Sequence, residues 1–182
     1  QMLLISMRFI GIVFIILFLS GCYEIKSEKS NLEIEHLYES FINKLNSGEY
    51  KLIKYTSSKC LDDTTYLDSI DWNQELKLFT ELNISKSQID DYDIIISKNG
   101  CEKKFQTNSK KHSIKKYKYS HCDGNLIVFI DITKSSPLYT FSYHLELNNK
   151  GYLIHIKSDV GMAYEADYKV EGKFILSKTI TH

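Results

Sequence analysis

The alternation of apolar and polar positions changes rhythm part-way along the chain. Ile34, Leu37, Tyr38, Phe41, Ile42 and Leu45 recur at helical spacing, with Glu33, Glu35, Glu39 and Lys44 on the opposite side. That is the pattern of an amphipathic helix. Asn46, Ser47 and Gly48 close it, glycine being the residue that caps a helix C-terminus at least steric cost. EYKLIKYTSS, residues 49–58, resumes a weaker helical pattern. A third helix is expected from Asp71, whose carboxylate caps while Gln74 returns the bond, with Trp72, Leu76, Phe79 and Leu82 as its buried stripe. The first half reads as helical.

After about Tyr92 the period shortens to two. Asn99-Gly100 and Asp123-Gly124 are hairpin signals flanked by strand-like runs, DYDIIIS before the first and YKYSHC with NLIVFIDIT around the second. Lys134 to Pro137 and Asn148 to Gly151 mark two further turns. Six or seven strands in an antiparallel meander follow from this punctuation. Tyr139, Phe141, Tyr143, Leu145 and Leu147 fall on one face, with Thr140, Ser142, His144 and Glu146 on the other, so one face packs on the helices and one meets water. The expected class is α+β, N-terminal helices on a curved antiparallel sheet.

The N-terminus is a separate matter. Phe9 to Leu19 is apolar except for Gly11 and follows Arg8, which matches the charged and apolar regions of a secretory signal. A membrane-spanning helix needs about twenty apolar residues, and this run is eleven residues long with ten of them apolar. Met7 is read as the start, with residues 1–6 upstream of it; Met2 is the other candidate.

Leu19, Ser20, Gly21 and Cys22 resemble the lipobox of bacterial lipoproteins. The resemblance implies cleavage between Gly21 and Cys22, diacylglycerol on the Cys22 thiol and usually an acylated (palmitate-type) new N-terminus. The other readings are an uncleaved anchor helix, or an ordinary signal peptide with an incidental Cys22. Two or more acyl chains hold a protein on its membrane stably, where one holds it marginally. Residues 1–21 are thus expected to be signal, 22–33 a polar tether and 34–182 one domain. Tyr23 is not the Asp that favours inner-membrane retention in enteric lipoproteins, so the resemblance leans toward the outer membrane. LYESFINKLNSGEYKLIKYTSS also resembles the opening of small lipoproteins with the nuclear-transport-factor-like cone fold, where a first helix ends at a Gly-acidic-Tyr turn and a second follows. That fold hosts enzymes and binding modules alike, so it implies no activity.

Charge changes the picture little. The chain has 23 basic and 23 acidic residues, and Arg8 is the only charge in 1–21, so the mature protein is near neutral and bulk nucleic-acid binding is not indicated. Its distribution is uneven. Lys103, Lys104, Lys110, Lys111, Lys115, Lys116 and Lys118 stand with one acid, Glu102, between Cys101 and Cys122, whereas residues 60–93 hold nine acids and two lysines. Read plainly this is a solvated basic hairpin whose lysines deter edge aggregation. Read functionally, it touches anionic headgroups or a partner protein.

Three cysteines remain. If the strands around the Lys110–Ser113 loop pair with numbers summing to 223, Cys101 and Cys122 face each other within disulfide reach; Cys60 pairing with either, or three reduced thiols, are the alternatives. If residues pair about Asn148–Gly151 with numbers summing to 299, His144 and His155 become neighbours. Two imidazoles fall short of the three or four ligands zinc takes, so no metal and no cofactor is expected. GxSxG, HExxH, CxxC and a phosphate-cradling glycine loop are all absent from the sequence, and no catalytic residue is nominated. Two function classes stay open. One is a lipid-anchored, non-catalytic envelope module binding a protein or small ligand, in an immunity, exclusion or accessory role. The other is an envelope hydrolase or isomerase with a pocket between helices and sheet.

Overall fold

The computed structural model describes residues 32–59, 61–160 and 164–177. The leader, Cys22, the tether up to residue 31 and Cys60 lie outside the described residues. In chain order the elements are α1 (Leu32–Ser47), β1 (Tyr50–Ser58), β2 (Leu61–Leu67), α2 (Trp72–Glu75), α3 (Lys77–Glu81), a 3-10 turn (Lys86–Asp91), then β3 (Asp93–Ile96), β4 (Glu102–Gln106), β5 (Ile114–Cys122), β6 (Asn125–Ser135), β7 (Thr140–Asn148), β8 (Gly151–Val160) and β9 (Tyr164–Leu176). The class is α+β. All nine strands form one open antiparallel sheet in the order β2-β1-β9-β8-β7-β6-β5-β4-β3.

The meander after Tyr92 supplies seven of these strands. The other two correct the helical reading of residues 49–58 and with it the strand count. In YKLIKYTSS the β-branched and aromatic residues Tyr50, Ile53, Tyr55 and Thr56 favour a pleated, half-buried surface, and the alternation buries Leu52 while Ile53 and Tyr55 face outward. Pairing with β9, Leu52 opposite Phe174, and with β2, Leu52 opposite Leu67, outweighs the weak helical periodicity. Gly48-Glu49-Tyr50 does end α1 as the cone-fold resemblance implies, but a strand follows it, not a second helix. β2 escaped notice because it is an exposed edge of acids and threonines, LDDTTYL.

Helix α1 crosses one face of the sheet. Near its start Tyr119 Oη donates to Glu33 Oε2 over β5 (3.0 Å). Its middle holds the buried Tyr38–Tyr117 hydroxyl pair (3.1 Å), and Phe41 reaches Phe174 of β9. The chain from β2 to β3 then traverses the same face from one sheet edge to the other. Asp71 caps α2 as expected, Oδ1 accepting from the amides of Asn73 (3.0 Å) and Gln74 (3.2 Å). Trp72, Leu76 and Phe79 are buried, and Leu76 splits the expected third helix into two short ones. Glu75 of α2 ties the layers together: Lys54 Nζ of β1 lies 2.7 Å from its Oε1, and the Tyr152 hydroxyl of β8 donates to that same oxygen. One core cluster joins Ile34, Leu45, Phe79, Phe105, Val128, Ile130, Leu145 and Leu147 across both layers.

Turns behave as their residues dictate. Asp123 and Gly124 both have positive φ (54° and 74°), the two-residue primed turn that matches strand twist. At the other hairpin only Gly100 is left-handed (φ 72°), its amide donating to Ser97 O. Registers follow. β7 and β8 pair with His144 directly opposite His155, as the turn at Asn148–Gly151 implies. β4 and β5 pair with Glu102 opposite Ser120, one residue away from the register that would set Cys101 opposite Cys122. Cys101 faces His121 instead, whose amide donates to Cys101 O at 2.9 Å.

Candidate functional site

The strongest candidate is a cleft of about 430 Å³ between the end of α3 and the sheet, at the end of the molecule that carries the β4–β5 loop. Its apolar wall comes from Leu78 and Leu82 on one side and Ile114, Ile132 and Tyr143 on the other; Glu81, Gln88, Lys111, His112 and Lys134 supply polar groups. An apolar hollow with a few convergent polar groups is the usual form of a small-molecule site. Local folding puts each there. The 3-10 turn ends at Asp91, the β4–β5 loop carries His112, and Lys115 holds that loop closed by donating to Ser109 O (2.6 Å) and His112 O (2.5 Å).

His112 is the unusual group. Its imidazole is nine-tenths buried, with 9% of the side chain exposed, and Nε2 lies 2.7 Å from Asp91 Oδ2. The ring packs on Tyr92 at 5.4 Å between centroids, and Tyr92 Oη donates to Ile114 O at 2.9 Å. Burial, helped by the Asp91 charge, pushes the Tyr92 hydroxyl up to about 12, so it stays a neutral donor. An ionised carboxylate only accepts, which puts a ring proton on Nε2; in the neutral ring Nδ1 then carries the lone pair. That Nδ1 is buried and has no hydrogen-bond partner among the described residues. Buried acceptors are nearly always satisfied, and leaving one open costs free energy. Neither sequence motif nor spacing points to this pair, because Asp91 and His112 are 21 residues apart on a turn and a loop. A larger open hollow of about 640 Å³ spans β8 and β9 beside Glu171 and Lys173; those two are paired with each other (3.6 Å), and the nearest buried polar atom without a partner among the described residues is Asn149 Oδ1, in the turn between the lining residues Asn148 and Lys150 and not itself in the lining.

The histidine pair read from the sequence is present on the solvent face of the sheet, but carboxylates occupy it. His144 Nδ1 meets Asp131 (2.6 Å) and Nε2 meets Glu146 (2.7 Å); His155 Nε2 meets Asp167 (2.6 Å). Among the described residues no group of three or more His, Cys, Asp or Glu is arranged to hold a metal. Burial works to lower the His144 pKa, yet the hydrogen bonds to Glu146 and Asp131 outweigh it and raise it above the ordinary value. The His155 hydrogen bond holds the Asp167 carboxyl below its usual range.

The seven lysines do not form one patch. Lys115 is turned into the loop; Lys103 pairs with Glu33 (3.7 Å) and Lys118 with Glu102 (2.8 Å). Lys104, Lys110, Lys111 and Lys116 make no ion pair among the described residues. Lys104 and Lys118 are cross-strand neighbours, whereas Lys110 and Lys111 lie on the loop beside the cleft. Cys101 and Cys122 are free thiols, both partly exposed. They interact despite the register offset, and the hydrogen bond with Cys122 is the main influence raising the Cys101 pKa.

No family model, curated protein or solved structure matches this chain. Function must therefore be argued from the site.

Proposed function

We propose that the protein is a membrane-anchored envelope lipoprotein, joined to lipid through Cys22, whose domain is a non-catalytic binding module that takes a small ligand in the helix–sheet cleft. The observation that carries the binding role is the buried, unpartnered Nδ1 of His112 in a cleft with an apolar wall. A ligand with an apolar body and one hydroxyl or amine donor satisfies both features. The address rests on the lipobox alone, outer membrane favoured, with an immunity, exclusion or accessory role as the biological setting. The curvature that would let the sheet wrap its helices as a cone belongs to the same reading, as does a Cys101–Cys122 disulfide formed in an oxidising compartment.

The cleft is tested by purifying the protein from its own envelope and analysing bound small molecules by native mass spectrometry. Wild type should carry a ligand that Leu82→Trp, which fills the cleft, loses. Identical spectra for the two proteins would remove the cleft from consideration. The same His112–Asp91 pair favours a second reading, an envelope hydrolase or isomerase with His112 as general base, since a carboxylate that fixes the ring tautomer is the arrangement a base needs. Turnover of chromogenic esters by wild type but not by His112→Asn would favour that reading over the first.

A further inference from the structure

The edge of the sheet at β3 is unprotected in a way that open sheets usually avoid. Asp93–Ile96 is exposed throughout, with Ile94, Ile95 and Ile96 at 46%, 52% and 59% exposure. It is the last strand of the sheet, so one row of its backbone groups is unpaired by any strand among the described residues. Charged residues, proline or a covering element normally blunt such an edge; here three consecutive isoleucines stand on it.

Two further observations place this edge. The first is where α1 begins. Glu33, at the start of α1, binds Lys103 and Tyr119, and Lys103 is the cross-strand neighbour of Ile96. The start of α1 therefore lies beside the β3–β4 end of the sheet. Leu32 stands only ten positions after Cys22, a reach of at most about 35 Å when fully extended. The second is charge. Lys98 in the β3–β4 turn and Lys104 behind Ile95 make no ion pair among the described residues, and the acids nearby, Glu33 and Glu102, are engaged by Lys103 and Lys118. Asp93 stands at the far end of the strand, and Asp123 of the β5–β6 turn lies near Cys101.

We infer that the β3 edge is a membrane-docking surface: Ile94, Ile95 and Ile96 enter the interfacial region of an anionic bilayer while Lys98 and Lys104 meet its headgroups. Apolar burial combined with lysine attraction to anionic lipid is how peripheral surfaces hold a bilayer. The preceding segment YEIKSEKSN carries a single aliphatic residue, Ile25, against four charges, a poor cover for three isoleucines. A second copy would gain a ladder of only four residues. This inference rests on the Cys22 anchor, and the test separates the two.

The full chain, carrying Ile95→Trp on this edge or Tyr66→Trp on the opposite edge β2, is reconstituted into vesicles of equal parts phosphatidylcholine and phosphatidylglycerol with brominated acyl chains. Both proteins should float with the vesicles. Tryptophan at position 95 should shift to the blue and lose emission to bromine, while tryptophan at position 66 does neither; the buried Trp72 is a constant background. Adding Lys98→Glu and Lys104→Glu should weaken the quenching at position 95. Flotation without quenching at position 95, or with equal quenching at both positions, overturns the docking and leaves the anchor standing. A blue shift without quenching assigns the edge to the chain's own tether or to a second copy and overturns it too. Failure to float overturns the anchor and the docking together.

Discussion

His144 shows how one side chain can be placed from sequence while its chemistry cannot. Its neighbour His155 follows from a turn and a period of two, since a β-ladder fixes which residues oppose one another. The carboxylates that claim both of its nitrogens come from β6 and from two residues further along its own strand, and only the assembled sheet brings them together. With the folded pKa raised, the stabilisation that His144 contributes is complete below the unfolded value near 6.5 and is lost as pH rises through the folded value. Denaturation midpoints of wild type and His144→Asn should therefore differ most at about pH 5.5 and draw together as pH rises beyond the unfolded value; a constant gap would exclude the imidazolium. Glu75 offers a sharper case. Glu75→Ala leaves Lys54 and the Tyr152 hydroxyl without their partner in a largely buried place, with an expected loss of about 1–3 kcal/mol in urea denaturation. A loss below the error of that measurement would mean that both groups find water.

At the level of elements, the legible parts were those with strong local signals. Asp71 announces its cap, Asp123-Gly124 its turn, and TFSYHLELN its two faces, because each depends on residues close in sequence. β1 was misread because its assignment depends on β9, more than a hundred residues away, and periodicity over ten residues separates short strands from short helices poorly. The cleft was invisible for the same reason: it joins a helix end, a 3-10 turn, a loop and three strands. Close strand contact is testable at Gly172. A Cβ there would meet the Tyr152 ring at 2.2 Å, so Gly172→Ala should cost about 1–3 kcal/mol through overpacking. Full retention of the wild-type midpoint would show that Tyr152 swings aside freely.

On the scale of the molecule, helices cover one face of a nine-stranded sheet, a cleft opens at one end of the strands, and a bare apolar edge stands near the start of α1. These features make sense together if the domain works at a membrane surface, held there by Cys22. Disulfide mapping under non-reducing conditions should find Cys101 linked to Cys122 in protein taken from an oxidising compartment; a Cys60 linkage would reject that pairing. The most direct measurement is metabolic labelling with an alkyne fatty acid, followed by membrane fractionation of wild type and Cys22→Ala. Labelled, membrane-bound wild type beside an unlabelled, released variant is the predicted result. Unlabelled wild type, or equal membrane retention of both proteins, would contradict it.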